Sequence, residues 1–395
     1  MNSSSVRDRT LIALMLSASL ASTIGGLPFN SLPVMLGSLA DSFKLDATAV
    51  GLMGSVCFSG YLLGTLGAPF WMNRLNWRLL TVISTAGTAA SFALSALVKE
   101  ASLLYVIWAL IGFFASTMTC LGMRILADLP NKVRAYGVRQ GVELSVTAVA
   151  LFALPPLVIS LFHYPGAALA MAAMVAVLGL SAFWVPHGPV AAEAGTPLTL
   201  APMPAVAWQG LLVYFLFLVG NIGLWAFLER IGVALSVSPA EMGIVFAVLK
   251  LLGGVAAFSM AAVGDRAASV RAAVCVLVAI GLGLALLAGA DGFPMFAIGA
   301  WVWEFAFTCG CVFQTALAAR LDPSGRAVLL VPAVFSAASI AGPALAGYLL
   351  AGGGFGWVLG LAATSALIYP LAMVCHGGLR SMRQVGVMGE VRVKT

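Results

Sequence analysis

The chain has 395 residues, of which 62% are hydrophobic and 9% charged, with 20 basic and 14 acidic side chains and a formal net charge of +6. A soluble domain carries about 25% charged residues, so a chain this poor in charge must turn most of its surface to lipid. A soluble enzyme and a disordered chain are excluded, and the unbroken apolar runs exclude the alternating pattern of a membrane barrel.

A spanning helix needs ~20 apolar residues. In chain order, twelve such runs lie at about 10–37, 48–71, 79–98, 102–127, 137–161, 165–185, 208–229, 240–263, 271–290, 294–318, 327–351 and 355–376. They predict an all-α integral membrane protein. With the N-terminus inside, sixteen of the 20 basic residues fall at the cytoplasmic side, among them Arg74, Arg78, Arg124, Arg139 and Arg266. Lys44, Lys99 and Arg230 fall outside, and Lys250 lies within a span. The excess of basic residues on one side puts both termini in the cytoplasm and the protein in the cell's inner membrane. The connection from His187 to Ala207, with Pro189, Pro197, Pro202 and Pro204, divides the chain. An N-terminal half at 1–186, a cytoplasmic linker at 187–207 and a C-terminal half at 208–395 are expected.

All six cysteines lie in apolar runs, so no disulfide framework is expected. Cys309 and Cys311 form only C-x-C with no histidine cluster beside it, so no metal is predicted. The bases are not gathered on one soluble face, so nucleic acid is no partner. There is no Walker A sequence and no set of catalytic groups, hence no cofactor and no enzyme.

The two halves echo each other. Span 2 is followed by Asn73-Arg74-Leu75-Asn76-Trp77-Arg78 and span 8 by Gly264-Asp265-Arg266; span 5 carries Pro155-Pro156 and span 11 carries Gly342-Pro343. Matching signals of this kind belong to transporters built from repeats. On these residues the chain resembles the major facilitator superfamily over nearly its whole length. That family's loop signature, G-x-x-x-D-R-x-G-R-R, survives here at Arg74 and Arg78, with Pro69, Asn73, Asn76 and Trp77 in other places. The second copy keeps Gly264, Asp265 and Arg266, and Ala127-Asp128-Leu129-Pro130 with Arg134 and Gly137 looks like the loop between spans 4 and 5. The resemblance implies twelve helices in two pseudo-symmetric six-helix bundles, a small-molecule substrate, and alternating access by a monomer. Drug–proton antiporters of the family carry an arginine where this chain has Trp108, and a span-5 signature of which only Gly141 and Pro155 remain. Both departures weaken that assignment. Arginines at cytoplasmic helix ends, here Arg74, Arg78 and Arg266 with Asp265, either latch the halves in one state or only set topology.

Charges inside the membrane are costly and mark function by default. Lys250 and Glu304 each lie ten residues into their spans from the outer end, ~15 Å deep at 1.5 Å per residue. They form either a substrate and proton site, with Lys250 attracting an anion, or a permanent ion pair. Burial disfavours a charged carboxylate and an adjacent ammonium favours it, so their separation decides whether Glu304 can carry protons. On span 7, Tyr214, Asn221, Trp225 and Glu229 form one helical stripe expected to line the cavity, unless Glu229 and Arg230 reach outer water. Trp301, Glu304, Thr308 and Cys311 share a face of span 10 in the same way. Glu143 makes either a local i,i+4 pair with Arg139 or, with Arg139 and Arg124, an inner gate. Gly25-Gly26-Leu27-Pro28 is expected to bend span 1. His163, His187 and His376 sit at span edges and are not expected to relay protons.

These features predict a secondary transporter of a small organic anion or amphiphile, coupled to H+ through Glu304 or Glu229. Drug or metabolite efflux by proton antiport is the first alternative. A non-transporting receptor or scaffold on the same fold is the second.

Overall fold

The computed structural model describes residues 3–72, 74–127, 129, 132–188, 203–263, 270–322 and 326–368, and its regular elements are all helices. In chain order they are α1 (Ser3–Asn30), α2 (Leu32–Phe43), α3 (Ala47–Met72), α4 (Trp77–Leu97), α5 (Ala101–Ala127), α6 (Lys132–Ala153) and α7 (Ser160–Gly179). After the proline-rich connection come α8 (Ala205–Ala234), α9 (Pro239–Val263), α10 (Val270–Ala288), α11 (Phe293–Leu321) and α12 (Arg326–Gly353), then α13 (Phe355–Ile368). Among the described residues, nine stretches are long and apolar enough to cross a membrane. One of them, Val138–Phe183, runs for 46 residues. It passes through a π-helical turn at Leu154–Ile159, where Pro155 and Pro156 deny the backbone two donors, and breaks at His163 (φ 54, ψ −153). Large apolar side chains such as Leu63, Phe162, Phe183 and Val278 stay exposed on the outside, as lipid contact requires.

The first span is not broken where its glycines stand. Helix α1 runs on through Gly25 and Gly26, and the break falls at Ser31 (φ −96, ψ 1) before Pro33. Both glycines serve close packing instead: a Cβ on Gly25 would collide with Thr119 of α5, and one on Gly26 with the Glu143 carboxylate. Proline at 33 has a different consequence. It carries no N–H, so the carbonyl four residues earlier, that of Phe29, has no helical donor.

We call the end where α1 starts the near end and the opposite one the far end. Through the middle and far end the buried apolar residues of both halves form one cluster, from Leu27 and Phe58 to Trp225 and Phe296. Here α3 packs on α12, α6 on α9 and α2 on α8. The backbones nearly touch: Gly51 lies against the Pro343 carbonyl, Gly347 against that of Ala47, and Gly243 against that of Phe152. At the near end the core splits in two. Ala18, Trp77, Leu121, Ile125 and Val185 pack together in the first half, and Ala207, Leu211, Ala318 and Ala327 in the second. The far end is closed, and the halves part toward the near end.

Candidate functional site

Helices α8, α9 and α11 bring Trp225, Lys250 and Glu304 together at mid-height, against Phe29 of α1. The Lys250 ammonium lies 3.9 Å from Glu304 Oε1, with side-chain exposures of only 4% and 9%. It also stands 3.7 Å from the centre of the Trp225 ring and 5.8 Å from that of Phe29. Among the described residues neither Lys250 nor Glu304 has a hydrogen-bond partner within 3.5 Å. A fully structural pair would satisfy its three donors and its lone pairs, because burying such groups unbonded is costly. Gly253 makes room for the carboxylate: a Cβ there would stand 3.1 Å from Glu304 Oε1 and 3.5 Å from Thr308 Oγ1. Thr308 therefore shares the site with Glu304, as the stripe on α11 implies.

The aromatic wall is built across both halves. Trp225 Nε1 donates to the Phe29 carbonyl at 2.9 Å, the carbonyl that Pro33 leaves without a helical donor. Phe29 packs edge-on against Phe58 of α3 (5.8 Å) and Phe335 of α12 (5.0 Å), and Trp225 against Phe246 of α9 (5.7 Å). Sequence reasoning passes over Phe29 and its neighbours. The one signal for them is Pro33, four residues past Phe29 in a span. Trp225→Phe keeps an aromatic ring but removes the donor, leaving the partly buried Phe29 carbonyl unbonded. The expected cost is about 1–3 kcal/mol, read as a lower thermal unfolding midpoint in detergent.

A second charged group lies beside it in the first half. Arg139 donates to Glu143 at 2.5 Å, to Ser22 Oγ at 2.9 Å and to the Gln140 amide oxygen at 3.2 Å. Glu143 also accepts from Asn30 Nδ2 at 3.1 Å. The local i,i+4 pair is thus present, tied to α1 within its own half. Arg124 sets its guanidinium over the Trp77 ring, 5.9 Å from the ring centre.

The rest of the stripe on α8 is employed elsewhere. Its four residues extend over about 22 Å at 1.5 Å per residue, too far to meet one solute. Tyr214 lies beside Thr315 and Cys311 on the near side. Asn221 donates to the Phe217 carbonyl at 2.8 Å and accepts from Trp303 at 2.9 Å, which fastens α8 to α11. Glu229 lies at the far end against Gly37 of α2, 2.7 Å from its neighbour Arg230. Arg230 reaches across to Asp41 on α2 with two bonds of 2.6 and 2.9 Å. Of the stripe, Trp225 is the residue that carries Lys250 on its ring.

Of the loop arginines, Arg78 acts within one half in this conformation. Arg78 Nη2 donates to the Phe183 carbonyl at 3.1 Å, at the C-terminal end of the sixth span, where a helix dipole favours a cation. Arg74 is exposed. Asp265 and Arg266 lie outside the described residues.

The sequence matches no family model and no curated protein. The fold has likenesses among solved structures. The nucleoside transporter NupG superimposes with a TM-score of 0.74 at 15% identity, over 93% of this chain and 98% of that one. A point mutant of the same transporter gives 0.74 at 16% identity, over 92% and 99%. A bacterial homologue of the human lysosomal transporter Spinster, inward-facing and unoccupied, gives 0.62 at 15% identity, over 95% and 96%. Likeness at such identity speaks for architecture. The chain is an all-helical, multi-pass membrane protein with the major facilitator fold.

Proposed function

We propose that the protein is a secondary active transporter that moves a small organic anion by alternating access, coupled to protons through Glu304. The observation that carries this reading is the buried Lys250–Glu304 pair, 3.9 Å apart and without hydrogen bonds among the described residues. Lys250 offers three free donors to an anionic group, and the Trp225 and Phe29 faces accept an apolar ring beside it. Glu304 can take a proton without breaking a hydrogen bond. Its protonation gives the pair a net positive charge, which an incoming anion neutralises. Arg139 and Glu143 hold each other and leave Lys250 as the cation that is free to respond.

Residues 1–186 and 208–395 would move as two bodies joined by the 187–207 linker, with the protein acting as a monomer. With its basic end in the cytoplasm of an inner membrane, the closed far end makes this an inward-facing state, like that of the Spinster homologue. Nucleosides belong in the substrate panel beside aromatic carboxylates, because NupG shares the architecture and a nucleobase is a flat ring for Trp225.

The test is uptake into vesicles holding the purified protein, with and without an imposed proton gradient. Aromatic carboxylates should accumulate several-fold with the gradient, and Glu304→Gln should abolish that gain while leaving exchange of labelled for unlabelled solute. Equal accumulation with and without the gradient, or a Glu304→Gln protein that still concentrates solute, would overturn the coupling. Substrate bound but never moved would favour a receptor on this fold.

A further inference from the structure

A lysine placed to hold a carboxylate permanently would hydrogen-bond to it. Lys250 does not. Its ammonium is held by the Trp225 ring at 3.7 Å, the Phe29 ring at 5.8 Å and the Glu304 carboxylate at 3.9 Å, and no acceptor lies within 3.5 Å among the described residues. Aromatic faces with one carboxylate beyond hydrogen-bonding distance are the chemistry that recognises a quaternary ammonium, which has no N–H to satisfy. The cage is also rigid. The indole is pinned by its bond to the Phe29 carbonyl, and the Phe29 ring is wedged against Phe335 and Phe58.

We propose that Lys250 is a tethered ligand of this cage, and that by filling it the side chain makes the protein reject organic cations. Deepening the reading given above, this assigns the charge selectivity of the same site to Lys250. The tether presents the ammonium at an effective concentration in the millimolar range, so a free cation must compete with it for one place. A solute anion does not compete. It draws Lys250 toward itself, and the vacated Trp225 face receives the solute's ring. The cage therefore works in two ways with one lysine: it is closed to cations while Lys250 occupies it and open to ring-bearing anions once Lys250 is engaged.

The experiment uses the full-length protein purified in detergent and benzyltrimethylammonium as the probe, with thermal unfolding and calorimetric titration as readouts. Lys250→Met should bind the probe at least about tenfold more tightly than wild type, and the probe should raise its unfolding midpoint while leaving that of wild type unmoved. Adding Trp225→Leu to Lys250→Met should remove the gain. Lys250→Gln, whose amide can still donate to Glu304, is measured in parallel and decides the matter if Lys250→Met does not fold. Folded Lys250 variants that bind the probe no better than wild type would overturn the proposal, as would a gain that survives the loss of Trp225. Because binding is read without a membrane or a gradient, the two readings fail separately. A wild-type protein inert in vesicles alongside a Lys250→Met gain retires transport and keeps the cage; active transport without that gain does the reverse.

Discussion

Arg230→Met is expected to open the far end of the bundle. Arg230 joins the two carboxylates there, bonding Asp41 of α2 twice and its neighbour Glu229 at 2.7 Å. The three side chains differ in exposure, at 65% for Asp41, 18% for Arg230 and 13% for Glu229, so the effects of removing them should differ. Without Arg230 the carboxylate of Glu229 remains in a confined place beside Gly37 with its cation gone, at a cost of about 3–5 kcal/mol to the closed arrangement. A shift of that size moves a two-state population by more than a hundredfold, since about 1.4 kcal/mol is a factor of ten. Asp41→Asn should do much less, about 0–1 kcal/mol, because Asp41 faces water. Spin labels at the exposed Glu100 and Ala240, one in each half at the far end, report the distance. The expected result is one short-distance population in wild type and in Asp41→Asn, and a longer one in Arg230→Met. Unchanged distances in Arg230→Met would reduce the triad to surface ornament.

Lys250→Met and Glu304→Gln should each destabilise the protein more than the two changes made together. Either single change leaves one charge in a site with almost no solvent, at about 3–5 kcal/mol, while the double change leaves none. A coupling energy well above the ~0.5 kcal/mol scatter of independent sites is expected from thermal or denaturant unfolding of the four proteins. Additive losses would mean that the groups ignore each other at 3.9 Å. On the proposed function the cycle also bears on transport, because a pair that stabilises the fold only while intact would then have to be opened by substrate or proton at each turn.

The candidate site is partly legible in the sequence. Lys250 and Glu304 stand out because charge inside an apolar run is rare and depth can be counted along a helix. Period also places Thr308 on the face of Glu304, and Trp225 on a polar stripe. What the period cannot tell is where a stripe ends as a site. Tyr214, Asn221, Trp225 and Glu229 share one line, yet each meets a different neighbour, because a line of about 22 Å passes several layers of the bundle. Glu143 is ambiguous for a similar reason. Its spacing from Arg139 announces the local pair, while its bond to Asn30 depends on how closely α1 lies on α6, which Gly26 permits. Arg78 reads equally as a latch between halves or as a topology signal, and only the fold shows the Phe183 carbonyl within its reach.

By itself, then, the sequence determined that this chain lives in lipid, that its elements are helices, and that one lysine and one glutamate lie at membrane depth. Those conclusions follow from composition and from distance along a helix, which one dimension contains. The tertiary structure alone decided that the lysine rests on Trp225, that the freed carbonyl of Phe29 holds that indole, and that Arg230 reaches Asp41 of the other half at the far end. Each of these is a contact between helices. The space between helices is set by the small residues and prolines that let backbones approach, so neither face nor depth predicts it.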